Sequence, residues 1–130
     1  MMHNPLRVLV IDENRRDRAI FKQLLRQSSS SYVIQEASDP LTGLRSFARM
    51  QPHCIFFEVL VEGRVATDVL HDLKTRVNGR PVPVIVWTTL TLLPLVQAAV
   101  QQIGASGWLL KHRTSSQDLE RTIRATVNVS

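Results

Sequence analysis

Side chains able to do chemistry stand at the ends of four apolar runs. Asp12 and Glu13 follow RVLVI, Glu58 follows CIFF, Thr88 and Thr89 follow VIVW, and Lys111 follows WLL. Carboxylates gathered on one rim repel each other, so such a set calls for a hard cation, an ammonium counter-charge or raised pKa values. Thr88 and Lys111 would offer donors opposite them. Oxygen ligands facing a hydroxyl and an ammonium suit the holding of Mg²⁺ and a phosphoryl group.

Whether these residues meet depends on the elements that carry them. Leu6–Ile11 is a β-branched run, and a helix from Asn14 to about Gln27 places Ile20, Phe21, Leu24 and Leu25 on one face. Tyr32–Ala37 reads as a second strand. Asp39-Pro40 starts a helix with a capping Asp and a first-turn Pro, burying Leu41, Leu44, Phe47 and Ala48. His53–Phe57 is a third strand. Val65, Val69, Leu70, Leu73 and Val77 mark a helix that stops at Asn78-Gly79. Val82–Trp87 is the fourth strand, a helix spans about Leu92 to Ile103, and Trp108–Leu110 is a short fifth strand. The last helix opens on a capping-box signal at Ser115-Ser116-Gln117-Asp118 and buries Leu119, Ile123 and Val127.

Five alternating units with short connections predict a doubly wound α/β fold: a five-stranded parallel sheet with helices on both faces. Ligands of such sheets sit outside the carboxyl ends of the strands. Those are the positions of Asp12, Glu13, Glu58, Thr88 and Lys111.

Composition bounds the function. A chain of 130 residues with 44% hydrophobic content fits one domain that buries a core without staples. Its one cysteine, Cys54, excludes an internal disulfide framework and reads as a small core residue. MMHNPLRVLVIDE turns acidic within one strand length, so a cytoplasmic protein is the simplest reading. The uncharged stretch from Pro81 to Leu110 contains prolines, glycines and β-branched residues, which argues against a membrane span. The net charge of +5, from 13 Arg and 3 Lys, would suit an acidic partner. The arginines, however, are spread over several helices, with only short clusters such as Arg15-Arg16-Asp17-Arg18, and no aromatic residues interleave with them. That pattern speaks for solvated faces rather than a nucleic-acid interface.

Four segments in order, VLVIDE at 8–13, PHCIFFE at 52–58, VIVWTT at 84–89 and GASGWLLK at 104–111, resemble the receiver domain of two-component response regulators. The resemblance runs from about Leu6 to Val127. It implies a flavodoxin-like (βα)5 fold with strand order 2-1-3-4-5, and one domain over residues 1–130 with no effector domain among them. It also implies a non-enzymatic role in bacterial-type signal transduction, with a histidine kinase or a downstream regulator as protein partner. On this resemblance Glu58 stands at the phosphoacceptor position with Thr88 and Lys111 beside it. Asp12, Glu13 and Glu58 stand where the family holds Mg²⁺, and Trp108 stands at the aromatic switch position, where an indole has less room to swing inward.

The departures change the expectation. The family has Asp where this chain has Glu58, and the extra methylene moves the carboxylate by about 1–1.5 Å, a displacement that costs on the order of a hundredfold in rate. Where the family has Met-Pro and Asp-Gly, this chain has Val61-Glu62 and Val65-Ala66. Lys111-His112 replaces a Lys-Pro pair whose bond is typically cis, and a non-proline cis bond costs about 2.5–4 kcal/mol, so a trans bond and a shifted loop are expected. The resulting expectation is an atypical receiver domain that has lost phosphorylation, has at most a weak Mg²⁺ site and no other cofactor, and works through protein contacts. Two alternatives stand beside it: a working phosphoacceptor that uses Glu58 and Mg²⁺, and a basic nucleic-acid-binding module. Glu58 itself has two readings, a partial mimic of the phosphorylated state or a static partner of Lys111.

Leu92, Val96, Val100 and Ile103 should cover the sheet, which leaves Leu90, Leu93 and Leu95 off that stripe. In the family, the fourth helix, fifth strand and fifth helix commonly form an output or dimer face. The leucines therefore suggest a partner surface or homodimer there.

Overall fold

The computed structural model describes residues 5–28, 31–75, 82–89 and 94–127. Its elements are β1 (Leu6–Ile11), α1 (Arg15–Arg26), β2 (Tyr32–Ala37), α2 (Pro40–Met50), β3 (Cys54–Phe57), β4 (Leu60–Val61), β5 (Arg64–Val65) and α3 (Thr67–Thr75), followed by β6 (Val84–Thr88), α4 (Pro94–Ile103), β7 (Ala105–Leu110), a 3-10 turn (Lys111–Arg113) and α5 (Ser116–Thr126).

The five long strands pair in parallel in the order β2-β1-β3-β6-β7, which is 2-1-3-4-5 once the small β4–β5 hairpin is set aside. β3 and β6 are buried at every position, as strands covered on both faces must be, whereas the edge strand β2 mixes exposed and half-buried positions. One face packs Leu9, Ile11, Ile55, Phe57, Val84 and Val86 beneath α2, α3 and α4. The other packs Val8, Val10, Cys54, Phe56, Ile85 and Trp87 against Phe21 and Leu25 of α1 and Leu119 and Ile123 of α5. Cys54 is a core residue, and burial pushes its thiol pKa up to about 12.

Local signals set the helix starts. The Asn14 side chain accepts from the Asp17 N–H at 3.0 Å, that of Asp39 from Thr42 at 2.8 Å, and Ser115 and Asp118 form a reciprocal capping box. Phe21 packs at a tilt on Phe56 at 4.8 Å and edge-on to Trp87 at 5.1 Å, which fixes α1 over β3 and β6.

Several expectations need correction. Ile20 and Leu41 are exposed, at 44% and 59%, and Ala48 is also exposed. In α2 the buried residues are Gly43 and Ser46, with Leu44, Phe47 and Met50 beside them. Small residues let the helix come close: a Cβ on Gly43 would lie 2.5 Å from Ile11 Cδ1. That approach turns Leu41 and Ala48 outward. Val65 belongs to β5 rather than to a helix, because residues 60–65 fold into an antiparallel hairpin whose central residues, Glu62 (φ 51°) and Gly63 (φ 78°), both take positive φ as a type I′ turn requires. β3 starts at Cys54, β6 runs Val84–Thr88, and β7 begins at Ala105, three residues before the expected Trp108. The Lys111–His112 bond is trans, no cis peptide occurs among the described residues, and the chain turns at once into the 3-10 segment. Val77, Asn78-Gly79, Leu90, Leu92 and Leu93 lie outside the described residues.

Candidate functional site

Parallel register levels the strand ends. Ile11 pairs with Phe57, Phe57 with Val86, and Thr88 with Leu110, so the residues that follow converge on one rim. Asp12, Glu58 and Thr88 are buried there, at 2%, 6% and 0% exposure. Lys111 reaches in from the end of β7 with its side chain 8% exposed. Glu13 is exposed and joins no ion pair within 4 Å among the described contacts.

Lys111 is the hub. Its Nζ lies 2.6 Å from Asp12 Oδ2, 2.9 Å from Asp17 Oδ2 and 3.0 Å from Glu58 Oε1. It also sits 5.0 Å from the centroid of the Trp87 ring, a cation–π distance. Asp17 and Trp87 are absent from the sequence-derived set. Three arginines surround Asp17 in the sequence and mask it. The available signal was an acid in the first turn of the helix that follows the Asp12 strand, since that turn stands over the strand end.

Glu58 is held by more than the ammonium. Its Oε2 accepts the Leu60 N–H at 3.0 Å, and its Oε1 accepts the Thr89 N–H at a long 3.4 Å. Its own N–H donates to Ile11 O at 3.0 Å. The charge inside IFFEVLVEG is thus answered by one cation and two backbone donors, as a buried carboxylate needs. Asp12 Oδ1 accepts the Asn14 N–H at 2.9 Å, and Arg18 donates to the Asp12 carbonyl. Arg18 and Lys22 together bind Glu36 of β2, at 3.0 and 2.6 Å, and so latch α1 beside the site.

Titration follows from burial and charge. Desolvation raises the Asp12 pKa; the Lys111 hydrogen bond and the Asn14 N–H offset this in part, and the Glu58 charge adds to the rise. For Lys111, burial pulls the pKa down, but hydrogen bonds to Asp12 and Asp17 and the charges of Asp12 and Glu58 outweigh it, leaving the pKa raised. Three carboxylates against one ammonium leave the cluster two charges negative by formal count.

The residues do not fit Mg²⁺ well. Asp12 Oδ2 and Glu58 Oε1 are turned to Lys111, and among the described residues no group of three His, Cys, Asp or Glu is placed to hold a metal ion. A cleft of about 90 Å³ beside them is lined by Asp12, Glu13, Asp39, Glu58 and Glu62 among others. Trp108, opposite Val86, is half-buried against the α2–α4 side of the core. Its indole packs there beside β7, an edge strand with a neighbour on one side only. Trp87 and Trp108 both bury Nε1 without a hydrogen-bond partner among the described residues. Leu95 projects from α4 at 84% exposure, and His112 is exposed. Among the described residues no helix is long and apolar enough to cross a membrane.

Known proteins share this fold. The family model for the response regulator receiver domain matches residues 8–124. The two-component response regulator ARR6 of Arabidopsis thaliana is 27% identical over 117 residues; the match covers 83% of this chain, which spans only 62% of that protein's length. The signal receiver domain of the response regulator NarL from Mycobacterium tuberculosis superposes with a TM-score of 0.82 at 20% identity, over 98% of this chain and all of that one. The receiver domain of the sensor histidine kinase PA1611 from Pseudomonas aeruginosa, with a magnesium ion in its active-site cleft, gives 0.78 at 19% identity, over 95% and 98%. With the strand order and the family match in agreement, this chain belongs to the response regulator receiver domain family.

Proposed function

We propose that this receiver domain is a protein-interaction module of two-component signalling whose phosphoryl site is filled by its own Glu58 carboxylate. The observation that carries the reading is the set of donors on that carboxylate: the Leu60 N–H, the Thr89 N–H and the Lys111 ammonium. Two backbone N–H groups and an ammonium aimed at one point form an anion site. Glu58 supplies the anion without a kinase. The imitation is partial, because a carboxylate brings one charge and two oxygens where a phosphoryl group brings about −1.5 to −2 and three. The domain would therefore hold one conformation for its partner, a histidine kinase or a downstream regulator, rather than switch.

The alternative, a working Mg²⁺-dependent acceptor at Glu58, requires a cation beside the carboxylate, the place that the Lys111 ammonium takes at 3.0 Å from Oε1. Incubation with acetyl phosphate and Mg²⁺ followed by intact mass tests the choice. The unmodified mass is expected; a phosphoryl adduct lost in Glu58→Gln would establish the alternative. Nucleic-acid binding is disfavoured by the arginines' engagements: Arg64 pairs with Asp68, Arg124 with Glu120, and Arg7 donates to the Met50 and Gln51 carbonyls. Leu95 supports a contact surface at α4, and a homodimer there would dissociate in Leu95→Asp, as read by light scattering at high concentration.

A further inference from the structure

We propose that Asp17 is a positioning residue that, with the Trp87 ring, locks the Lys111 ammonium as the resident cation of the site. An ammonium has three N–H donors and no acceptor. Three carboxylates stand at hydrogen-bonding distance from Nζ: Asp12 at 2.6 Å, Asp17 at 2.9 Å and Glu58 at 3.0 Å. Asp12 and Asp17 accept hydrogen bonds from it, and Glu58 lies within ion-pair distance. Asp12 and Glu58 are the rim carboxylates that the fold brings to the strand ends; Asp17 comes from a different element, the first turn of α1, and takes the third position.

The lysine stem is long and flexible, and nothing in its own chemistry confines it. Here it is confined on each side. Asn14 caps the Asp17 N–H and so sets the turn that presents its carboxylate. Phe21, one helical turn further along α1, packs on the Trp87 ring that lies beneath the ammonium. Helix α1 thus supplies the carboxylate and also braces the aromatic platform. Arg18 and Lys22 tie the same helix to Glu36, so it cannot readily withdraw. An ammonium held this way also occupies the carboxylate oxygens a divalent cation would need.

This inference stands on the Lys111 contacts alone and does not require Glu58 to imitate a phosphoryl group. Its test is the NMR signal of Lys111 in the full chain. The wild type is expected to show a slowly exchanging ammonium resonance and ε-protons moved upfield by the Trp87 ring. In Asp17→Ala the ammonium resonance is expected to broaden away and the ε-proton shift to shrink. A purely structural role for Asp17 would lower the melting temperature and leave the Lys111 signals of the folded protein in place; that result overturns the proposal. A second measurement needs no variant. Millimolar Mn²⁺ added to the wild type is expected to give no selective broadening at Asp12, Asn14 and Glu58, and saturable broadening there would show that the ammonium yields to a divalent cation and would also overturn it.

Discussion

Replacing Lys111 by Met removes the cation and keeps the length of the stem. Asp12 and Glu58, with side chains 1% and 7% exposed, then face each other without a counter-charge, and Asp17, 23% exposed, loses its partner. Removing one member of a buried pair costs about 3–5 kcal/mol, because the remaining charge stays desolvated. The loss is placed near the lower end, since Asp17 can turn to water and Glu58 keeps two backbone N–H donors. The penalty should depend on pH. The Asp12 pKa is already raised above 3.8 by burial, and losing Lys111 removes the ion pair that opposes that rise. A carboxyl whose folded pKa lies above its unfolded value destabilises progressively as pH climbs from the unfolded toward the folded value. Urea unfolding of both proteins should therefore show a loss of about 3 kcal/mol at neutral pH and a smaller one in mildly acidic buffer, where Asp12 takes a proton. A loss below about 1 kcal/mol, as for an exposed pair, would refute the claim that the site is held by a desolvated ammonium.

Other consequences follow from particular residues. Because the Lys111 pKa is raised above 10.5, its stabilisation is complete below that value and is lost as pH rises through the folded pKa; the alkaline fall in stability should be steeper in the wild type than in Lys111→Met. Gly43→Ala places a Cβ 2.5 Å from Ile11 Cδ1 and 2.9 Å from Cγ1. It should cost about 1–3 kcal/mol in urea unfolding, and a neutral result would contradict the close approach of α2 to β1. Glu62→Gly relieves a left-handed non-glycine residue and should gain up to about 1 kcal/mol, whereas a loss would count against the I′ turn between β4 and β5.

The sheet was legible because β1, β3 and β6 carry the apolar runs 8–11, 54–57 and 84–87, and the strand-end rule then located Asp12, Glu58, Thr88 and Lys111 before any geometry. The face of α2 was not legible. A hydrophobic stripe is read from large residues, and α2 meets the sheet through Gly43 and Ser46, so Leu41 and Ala48 were assigned to the wrong side. The β4–β5 hairpin was hidden by its turn, since Glu-Gly is not among the dipeptides that announce a I′ turn. At the site, Glu13 drew attention through its place beside Asp12, yet it is exposed at the cleft edge and joins none of the Lys111 ion pairs. Asp17 went unnoticed for the opposite reason: its partner is 94 residues away, and no local pattern links a first-turn acid to a distant lysine. Charge pairs across a fold are decided by topology, and sequence spacing alone does not reveal them.

The amide signals of Leu60 and Thr89 report most directly on whether the Glu58 carboxylate occupies the donors at the strand ends. In a comparison of wild type with Glu58→Ala, both amide protons should move upfield when the acceptor is removed, Leu60 by more than Thr89 because its hydrogen bond is 3.0 Å against 3.4 Å. Leu60 and Thr89 amides that keep their wild-type shifts in a folded Glu58→Ala protein would show that the carboxylate lies elsewhere, and the proposed occupation of the phosphoryl site would be wrong.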